Sequence, residues 1–187
     1  MHLCPAASGP AFRVLWIVPL LAALCLGSLP ARATGESERF QDALAADTVN
    51  VETNIRAVMI PFAGGLVVPD TGLNWAIEAA TSCYDKIKGM PRYHAALDMC
   101  VAIDIALAQW VQDLQDQRPD LYAKRMTVSA AEFGNAALGR VLGNLQQSGL
   151  GADDAYKRAQ QLGGIGTREL WQQVQAILAR RRGGKPE

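Results

Sequence analysis

The sequence predicts an all-α protein: a single-domain bundle of five or six helices with a disulfide-stapled helical hairpin at its centre. Three observations lead to this prediction. Apolar residues recur at helical spacing along most of the chain. Glycine and alanine are abundant whereas aromatic residues make up 6% of the chain, which suits closely packed helices better than a β-sandwich. The third observation is a pair of cysteines, Cys83 and Cys100, on two neighbouring predicted helices.

The first 33 residues are predicted to be a secretory signal peptide that is not part of the fold. Arg13 precedes the apolar run Val14–Leu26, and Ala31-Arg32-Ala33 has the small-x-small pattern of a signal-peptidase site. The run is short for a membrane span, which needs about 20 residues. We therefore expect cleavage after Ala33, with an uncleaved membrane anchor as the alternative.

The rest of the chain has the size of one ordinary domain, with a helical domain expected over residues 34–182 and a frayed tail over residues 183–187. Removing Arg13 and Arg32 from the 18 basic residues leaves 16 against 18 acidic ones. This near balance argues against a general binder of nucleic acid or anionic membranes. The leader and the even pair of remaining cysteines indicate an oxidising compartment, so we expect a periplasmic or secreted protein.

One amphipathic helix is expected at the start of the domain, because apolar residues recur there at helical spacing: Phe40, Leu44, Val51, Ile55, Val58 and Met59. We expect this helix to end just before Pro61. The uncharged run 57–69 contains two prolines and two glycines, which predicts a connection rather than a long helix. This connection is either buried against the bundle or an exposed hydrophobic loop that docks a partner or touches a membrane. Its candidate partner-binding residues are Met59, Ile60, Phe62, Leu66 and Val67.

The central hairpin is predicted over Thr71–Asp116. Gly89 is a natural stop for its first helix, and Pro91 suits the first turn of its second. At a rise of about 1.5 Å per residue, Cys83 and Cys100 are offset by only roughly 4–5 Å along a folded-back hairpin. Both sulfurs can therefore come within disulfide range. We predict a disulfide, and the alternative is two buried thiols that behave as small hydrophobes.

One residue of the hairpin conflicts with a plain apolar core. At 100° per residue, Asp104 falls near the middle of the apolar stripe, between Val111, Tyr93 and Leu97. A carboxylate there needs a cation or several hydrogen-bond donors, or stays protonated. Asp104 is therefore our candidate buried functional carboxylate, with Tyr93 or Tyr84 expected nearby. The alternatives are a structural ion pair with an Arg or Lys of another helix, or a stripe that tilts towards solvent.

The clearest local signal follows a polar stretch in which Pro119 marks an expected loop. Ser129 and Glu132 have the spacing of a capping box, which predicts a helix that starts immediately after Ser129. Gly149 is expected to end this helix.

Two further helices are predicted in the last part of the chain. The first is short and is expected to stop at Gly163-Gly164, and Thr167 is expected to cap the second. Three arginines at positions 180–182 end the second helix, where positive charge favours the helix dipole. The alternative is a small basic contact patch for an acidic partner or lipid head groups.

Sequence motifs for catalysis and cofactor binding are missing from the chain. It has no glycine-rich phosphate loop, no Gly-x-Ser-x-Gly elbow and no Cys-x-x-Cys-His haem site. His94 is the one histidine after the leader, so no zinc site is expected. We therefore expect no metal, no cofactor and no catalytic residues.

These observations predict an exported, non-catalytic protein of the bacterial cell envelope. We expect it to bind another envelope or secreted protein, in an accessory or immunity-type role. One alternative is a small-ligand binder or enzyme that uses Asp104 in a cavity of the bundle. The other is a peripheral membrane-associated protein that inserts the 57–69 run. Nucleic acid is not an expected partner, and membrane contact is not favoured.

Overall fold

The computed structural model describes residues 31–46, 50–68 and 72–183, and every regular element in these ranges is an α-helix. The predicted leader lies outside the described residues as far as position 30, and the predicted tail lies outside them from position 184. In chain order the helices are α1 (Ala31–Ala45), α2 (Val51–Leu66), α3 (Gly72–Lys86), α4 (Tyr93–Gln117), α5 (Pro119–Arg125), α6 (Ala130–Gln147) and α7 (Ala152–Gly183). The all-α class is confirmed, but the described ranges hold seven helices rather than five or six.

Helix α4 lies at the centre of the bundle. It packs most extensively against α7 and α6, and it also contacts α1, α2, α3 and α5. Six consecutive residues, Met99 to Asp104, are buried, so the helix is enclosed around its whole circumference. A helix that is apolar on all sides is stable only when other elements or a membrane cover it.

Within the part of the chain that the structure describes, α4 is also the one helix long and apolar enough to cross a membrane. Length and composition alone give this result. In the fold, 61% of the most apolar 18-residue stretch of α4 is buried against the other helices. Burial inside the bundle therefore accounts for the apolar character of α4.

Helices α3 and α4 form the predicted hairpin. Gly89 adopts a φ of 81°, a left-handed conformation that glycine reaches without steric cost, and this residue turns the chain. Cys83 and Cys100 are fully buried and form a disulfide, with their Cα atoms 5.7 Å apart. The predicted disulfide is therefore confirmed.

The N-terminal part of the bundle differs from the prediction. The expected single helix up to Pro61 is two helices, α1 and α2, and Asn50 caps α2 by accepting a hydrogen bond from the Thr53 N–H at 3.1 Å. The expectation that Pro61 ends a helix is wrong, because α2 continues through it to Leu66. A proline inside a helix costs about 3 kcal/mol. Burial of the side chains around Pro61 against α1, α3 and α7 offsets this cost.

Three aromatic rings join α1, α2 and α3. The centroid of Phe40 lies 6.0 Å from that of Phe62 and 5.7 Å from that of Trp75, and the Phe62 and Trp75 centroids are 5.7 Å apart. The close approach of α2 to α3 depends on glycine, because a Cβ added at Gly72 would collide with the backbone oxygen of Gly65. The cluster fixes α1 on the bundle and places the end of α2 beside the start of α3.

Helix α6 begins and ends as predicted. Ser129 and Glu132 form both hydrogen bonds of the capping box. At the other end Gly149 has a φ of 105°, and the Leu150 N–H donates to the Leu145 carbonyl at 3.3 Å. This pair of features is a Schellman motif, which satisfies carbonyls that the helix leaves free.

Two expected breaks in the second half of the chain are helical. Pro119 is the first residue of α5 rather than a loop residue, and its missing N–H costs nothing at that position. Gly163-Gly164 does not stop a helix, because α7 runs unbroken through them. A Cβ at Gly163 would lie 2.6 Å from a methyl of Ile105, and one at Gly166 would lie 2.5 Å from the Ala102 carbonyl oxygen. These two glycines therefore allow α7 to approach α4 closely.

We expect Gly166→Ala to lower the free energy of unfolding by about 1–3 kcal/mol, because the added methyl forces α7 away from α4. Gly164→Ala is the matched control, since a Cβ there meets nothing within 4 Å. It should raise stability by about 0.5–1 kcal/mol through helix propensity. Urea unfolding of both variants checks this. An equal change in the free energy of unfolding for the two variants would contradict a role for Gly166 in packing.

We expect Cys83→Ala/Cys100→Ala to lower the free energy of unfolding by about 3 kcal/mol, because the disulfide closes a loop between residues 17 apart. Urea unfolding, monitored by circular dichroism, measures the loss. Wild-type protein unfolded under reducing conditions should show a similar loss. A variant as stable as the oxidised protein would mean that helix packing alone holds the hairpin.

Candidate functional site

Asp104 lies on α4 and is fully buried, and it is the one charged residue in the buried core of the described ranges. Arg140 of α6 donates two hydrogen bonds to it, from Nη2 to Oδ1 at 2.8 Å and from Nε to Oδ2 at 3.1 Å. The Tyr84 hydroxyl on α3 donates a third hydrogen bond to Oδ2 at 3.2 Å. The buried carboxylate thus joins three helices, and it forms the structural ion pair considered above.

The electrostatics of this group depend on burial and on the guanidinium. Burial raises the pKa of the Asp104 carboxyl above its ordinary value, and the hydrogen bonds and charge of Arg140 oppose this rise. Burial also raises the pKa of Tyr84, and the neighbouring carboxylate raises it further. The Tyr84 hydroxyl therefore stays protonated and can donate its hydrogen bond to Asp104. Burial opposes the charge on Arg140, but the Asp104 carboxylate outweighs this effect, and the pKa of Arg140 is raised.

This arrangement leaves little capacity for chemistry at Asp104. Both carboxylate oxygens accept hydrogen bonds from protein groups. Asp104 lines none of four surface cavities among the described residues. Tyr84 contacts Asp104 as expected, whereas no hydrogen bond joins Tyr93 to it in the described structure.

The expectation that the 57–69 run is a loop is wrong, because the run is helical as far as Leu66, but the expectation that it binds a partner stays a prediction. Met59 and Phe62 are fully buried and Leu66 is 5% exposed, so all three belong to the core. Ile60 is 49% exposed, and Val67 is half-buried at the end of the helix. Of the five candidate residues, Ile60 and Val67 therefore reach the surface, whereas the other three serve packing.

The other candidate groups lie apart from Asp104. His94 is exposed on the first turn of α4 and stacks edge-on against Tyr93, with ring centroids 5.6 Å apart. Across residues 31–46, 50–68 and 72–183, no three His, Cys, Asp or Glu side chains group closely enough to hold a metal ion.

An apolar groove lies at the end of the bundle where α4 finishes. Its volume is about 390 Å³, and it is open to solvent on one side. Two tryptophans, Trp110 of α4 and Trp171 of α7, line it together with aliphatic side chains of α2, α3, α4, α5 and α7. The aliphatic lining residues are Leu66, Val67, Val68, Leu73, Leu114, Leu121, Val174 and Leu178.

Three apolar side chains of the groove stand out. Val68, Leu121 and Trp171 are half-buried, yet among the described residues they do not belong to the core cluster or to the side chains packed against it. Burial of apolar surface stabilises a fold only where other apolar atoms cover it. These side chains therefore line the groove and lie outside the core cluster.

The groove has a polar rim and a basic neighbour. Asn74, Asp113, Gln117, Arg118 and Arg125 complete its lining. A second groove of about 280 Å³ adjoins it through two shared residues, Val67 and Val68, and is lined also by Arg180 and Arg181. The Arg181 guanidinium donates to the Val67 carbonyl at 2.8 Å, so it holds the end of α7 against the end of α2.

The groove could not be recognised from the sequence, because its lining comes from five helices that are distant in the chain. Trp110 gives no local signal of a groove. It lies three residues after Leu107 and four before Leu114, so helical spacing places its ring on the stripe that faces the core. No pattern within a single helix shows which other residues surround that ring.

We expect Arg140→Met to lower the free energy of unfolding at neutral pH by about 3–5 kcal/mol, because it leaves a fully buried carboxylate without a counter-charge. Asp104→Asn should cost less, since the Arg140 side chain is 30% exposed and can reach water. Combining Arg140→Met with Asp104→Leu should recover much of the loss. Urea unfolding of the three variants measures these differences. A larger loss for Asp104→Asn than for Arg140→Met would contradict this ranking.

We expect the destabilisation caused by Arg140→Met to shrink as the pH falls from 8 to 5. Without the guanidinium, burial holds the folded-state pKa of Asp104 well above its unfolded value. A raised folded-state pKa favours the folded state at low pH, and this stabilisation is lost as the pH rises through that pKa. Urea unfolding at several pH values, with wild type in parallel, tests the sign. If the difference in the free energy of unfolding between wild type and Arg140→Met stayed constant with pH, Asp104 would remain ionised or water would reach it.

No protein family, curated protein sequence or solved structure matches this chain.

Proposed function

We propose that this chain is an exported, non-catalytic protein of the bacterial cell envelope that acts by binding another protein. Its role would be that of an accessory or immunity-type protein, and its site would be the apolar groove between α4, α5 and α7. The observation that carries the proposal is the groove lining of Val68, Leu121 and Trp171, three apolar side chains that lie outside the core cluster.

The composition of the groove supports a protein partner. Protein interfaces typically have an apolar and aromatic centre with a polar rim, and tryptophan and arginine are frequent among their energetically important residues. Trp110 and Trp171 lie among aliphatic side chains, and Arg118 and Arg125 lie at the rim. Small-molecule sites usually enclose 70–90% or more of a drug-sized ligand, whereas this groove is open on one side.

The two alternative functions have less support. An enzyme or small-ligand site at Asp104 needs a free carboxylate facing a cavity, but Arg140 and Tyr84 occupy both of its oxygens. Membrane association through the 57–69 run needs exposed apolar residues, but Phe62 and Leu66 are in the core.

Export is the second part of the proposal. The signal-peptide pattern of residues 1–33 motivates it, and the Cys83–Cys100 disulfide is consistent with an oxidising compartment outside the cytoplasm. We therefore propose that the partner is another envelope or secreted protein.

The test compares two matched variants of the tagged mature chain in affinity capture from envelope extract. The groove variant is Val68→Ser/Leu121→Ser/Trp171→Gln. The control is Val128→Ser/Leu138→Ser/Tyr156→Gln, which alters exposed side chains of similar types elsewhere. We expect a stoichiometric protein that wild type and control retain and that the groove variant loses at least about tenfold, as expected for an interface centre.

Thermal unfolding by circular dichroism checks that both variants fold. A partner lost from the control but kept by the groove variant would place the interface between α6 and α7, where Leu138 and Tyr156 line another groove. The absence of any captured protein would contradict the proposed function.

A further inference from the structure

We propose that the groove accepts an acidic amphipathic helix of the partner protein, an inference that rests on the proposed function and names the chemistry of the bound segment. The apolar stripe of such a helix would lie on Trp110, Trp171 and Leu121. Its carboxylates would face the arginines along the rim.

Charge complementarity is the first argument for an acidic segment. Arg118 and Arg125 line the main groove, and Arg180 and Arg181 line the groove that adjoins it through Val67 and Val68. In the main groove this charge is largely compensated, because Asp113 lies in the lining, Arg118 has Asp120 beside it and Arg125 has an interaction partner of its own. In the adjoining groove Arg180 and Arg181 stand with one carboxylate, Glu36, so this part of the lining is basic although the whole chain carries no net charge.

The state of these charges strengthens the argument. Glu36 forms an ion pair with Arg39, and Gln109 donates to Asp113. Arg118 pairs with Asp120 on the surface. In the described part of the chain, Arg180 is exposed and forms no ion pair, and it lies two residues beyond Leu178 of the groove. A carboxylate placed beside Arg180 would therefore gain a partner without breaking an existing bond.

The geometry of the groove favours a helix over an extended peptide. An extended segment binds mainly by adding a strand to an exposed sheet edge, and the described ranges contain helices alone. The walls of the groove are helices, whose backbone groups are largely satisfied within each helix. An amphipathic helix needs no backbone bonds to its partner, because apolar side chains at positions i, i+3, i+4 and i+7 form its contact surface.

The same geometry argues against a lipid bilayer as the occupant. A bilayer takes up side chains that project from the surface, but the groove residues line a concavity. The large apolar side chains that do project, among the described residues, lie outside it: Ile60, Val128, Leu138, Leu150 and Tyr156. Trp110 and Trp171 can therefore reach a helix that enters the groove more readily than a flat membrane surface.

The experiment measures binding of fluorescent helical peptides to the full mature chain by anisotropy. The peptides have roughly 18 residues, which is five helical turns, and share one apolar stripe of leucine and phenylalanine. Their polar faces are acidic, neutral or basic. Vesicles of phosphatidylglycerol and phosphatidylcholine form a separate arm. We expect the acidic peptide to bind at least about tenfold more tightly than the basic one, with an affinity that falls as salt is added.

Two charge variants test which residues recognise the charge of the peptide. Arg118→Glu/Arg180→Glu should weaken binding of the acidic peptide about tenfold and strengthen that of the basic peptide. The matched control Lys86→Glu/Lys157→Glu reverses two exposed lysines away from the groove and should leave both affinities within about twofold, because salt screens distant charges. The groove variant Val68→Ser/Leu121→Ser/Trp171→Gln should bind none of the peptides tightly.

Every other outcome overturns the inference, and each of them has a different consequence for the proposed function. Equal binding of acidic and basic peptides, lost in the groove variant, would keep the groove as a protein-binding site and reject the acidic segment. Binding to anionic vesicles without peptide binding would make lipid the occupant. No binding to peptides or vesicles would reject an acidic helix, and the capture experiment would then decide the proposed function by itself.

Discussion

Enclosure of α4 is the constraint on which the rest of the structure depends. The middle of α4 is buried around its whole circumference, so other helices must cover each of its sides there. Helix α3 is joined to it by a disulfide, α6 and α7 supply most of the remaining cover, and α2 closes the gap between α3 and α7. The glycines at 163 and 166 belong to this arrangement, because they bring the longest cover helix into close contact with α4.

Asp104 is the exception that this enclosure has to accommodate. A fully buried carboxylate is costly unless a cation and hydrogen-bond donors reach it, and those groups come from two different cover helices. The pair need not add net stability, since apolar residues of the same volume often do as well. It constrains the packing instead, because α3 and α6 must hold Tyr84 and Arg140 at hydrogen-bond distance from one point of α4.

The sequence predicts features that depend on neighbours in the chain or on one helix face. The hairpin and its disulfide, the Ser129 capping box and the burial of Asp104 are of this kind. It fails where tertiary burial overrides a local signal. Pro61 and Gly163 are breakers by propensity, but the apolar surface buried on either side of them outweighs that propensity. The sequence could not predict that Arg140 pairs with Asp104, nor could it predict the groove. Both depend on which helices become neighbours in space.

The groove follows from the same constraint that builds the core. Around its middle α4 is covered by helices of 15 residues or more, but over its last turns the chain provides α5, which has seven residues. A helix of two turns is about 10 Å long and cannot fill the space between the end of α2, the start of α3 and the second half of α7. Trp110 and Leu114 therefore remain half-buried at this end of α4. A helix bound there would complete the enclosure of α4, and this is why we propose the groove as the protein-binding site rather than the more projecting apolar side chains elsewhere on the surface.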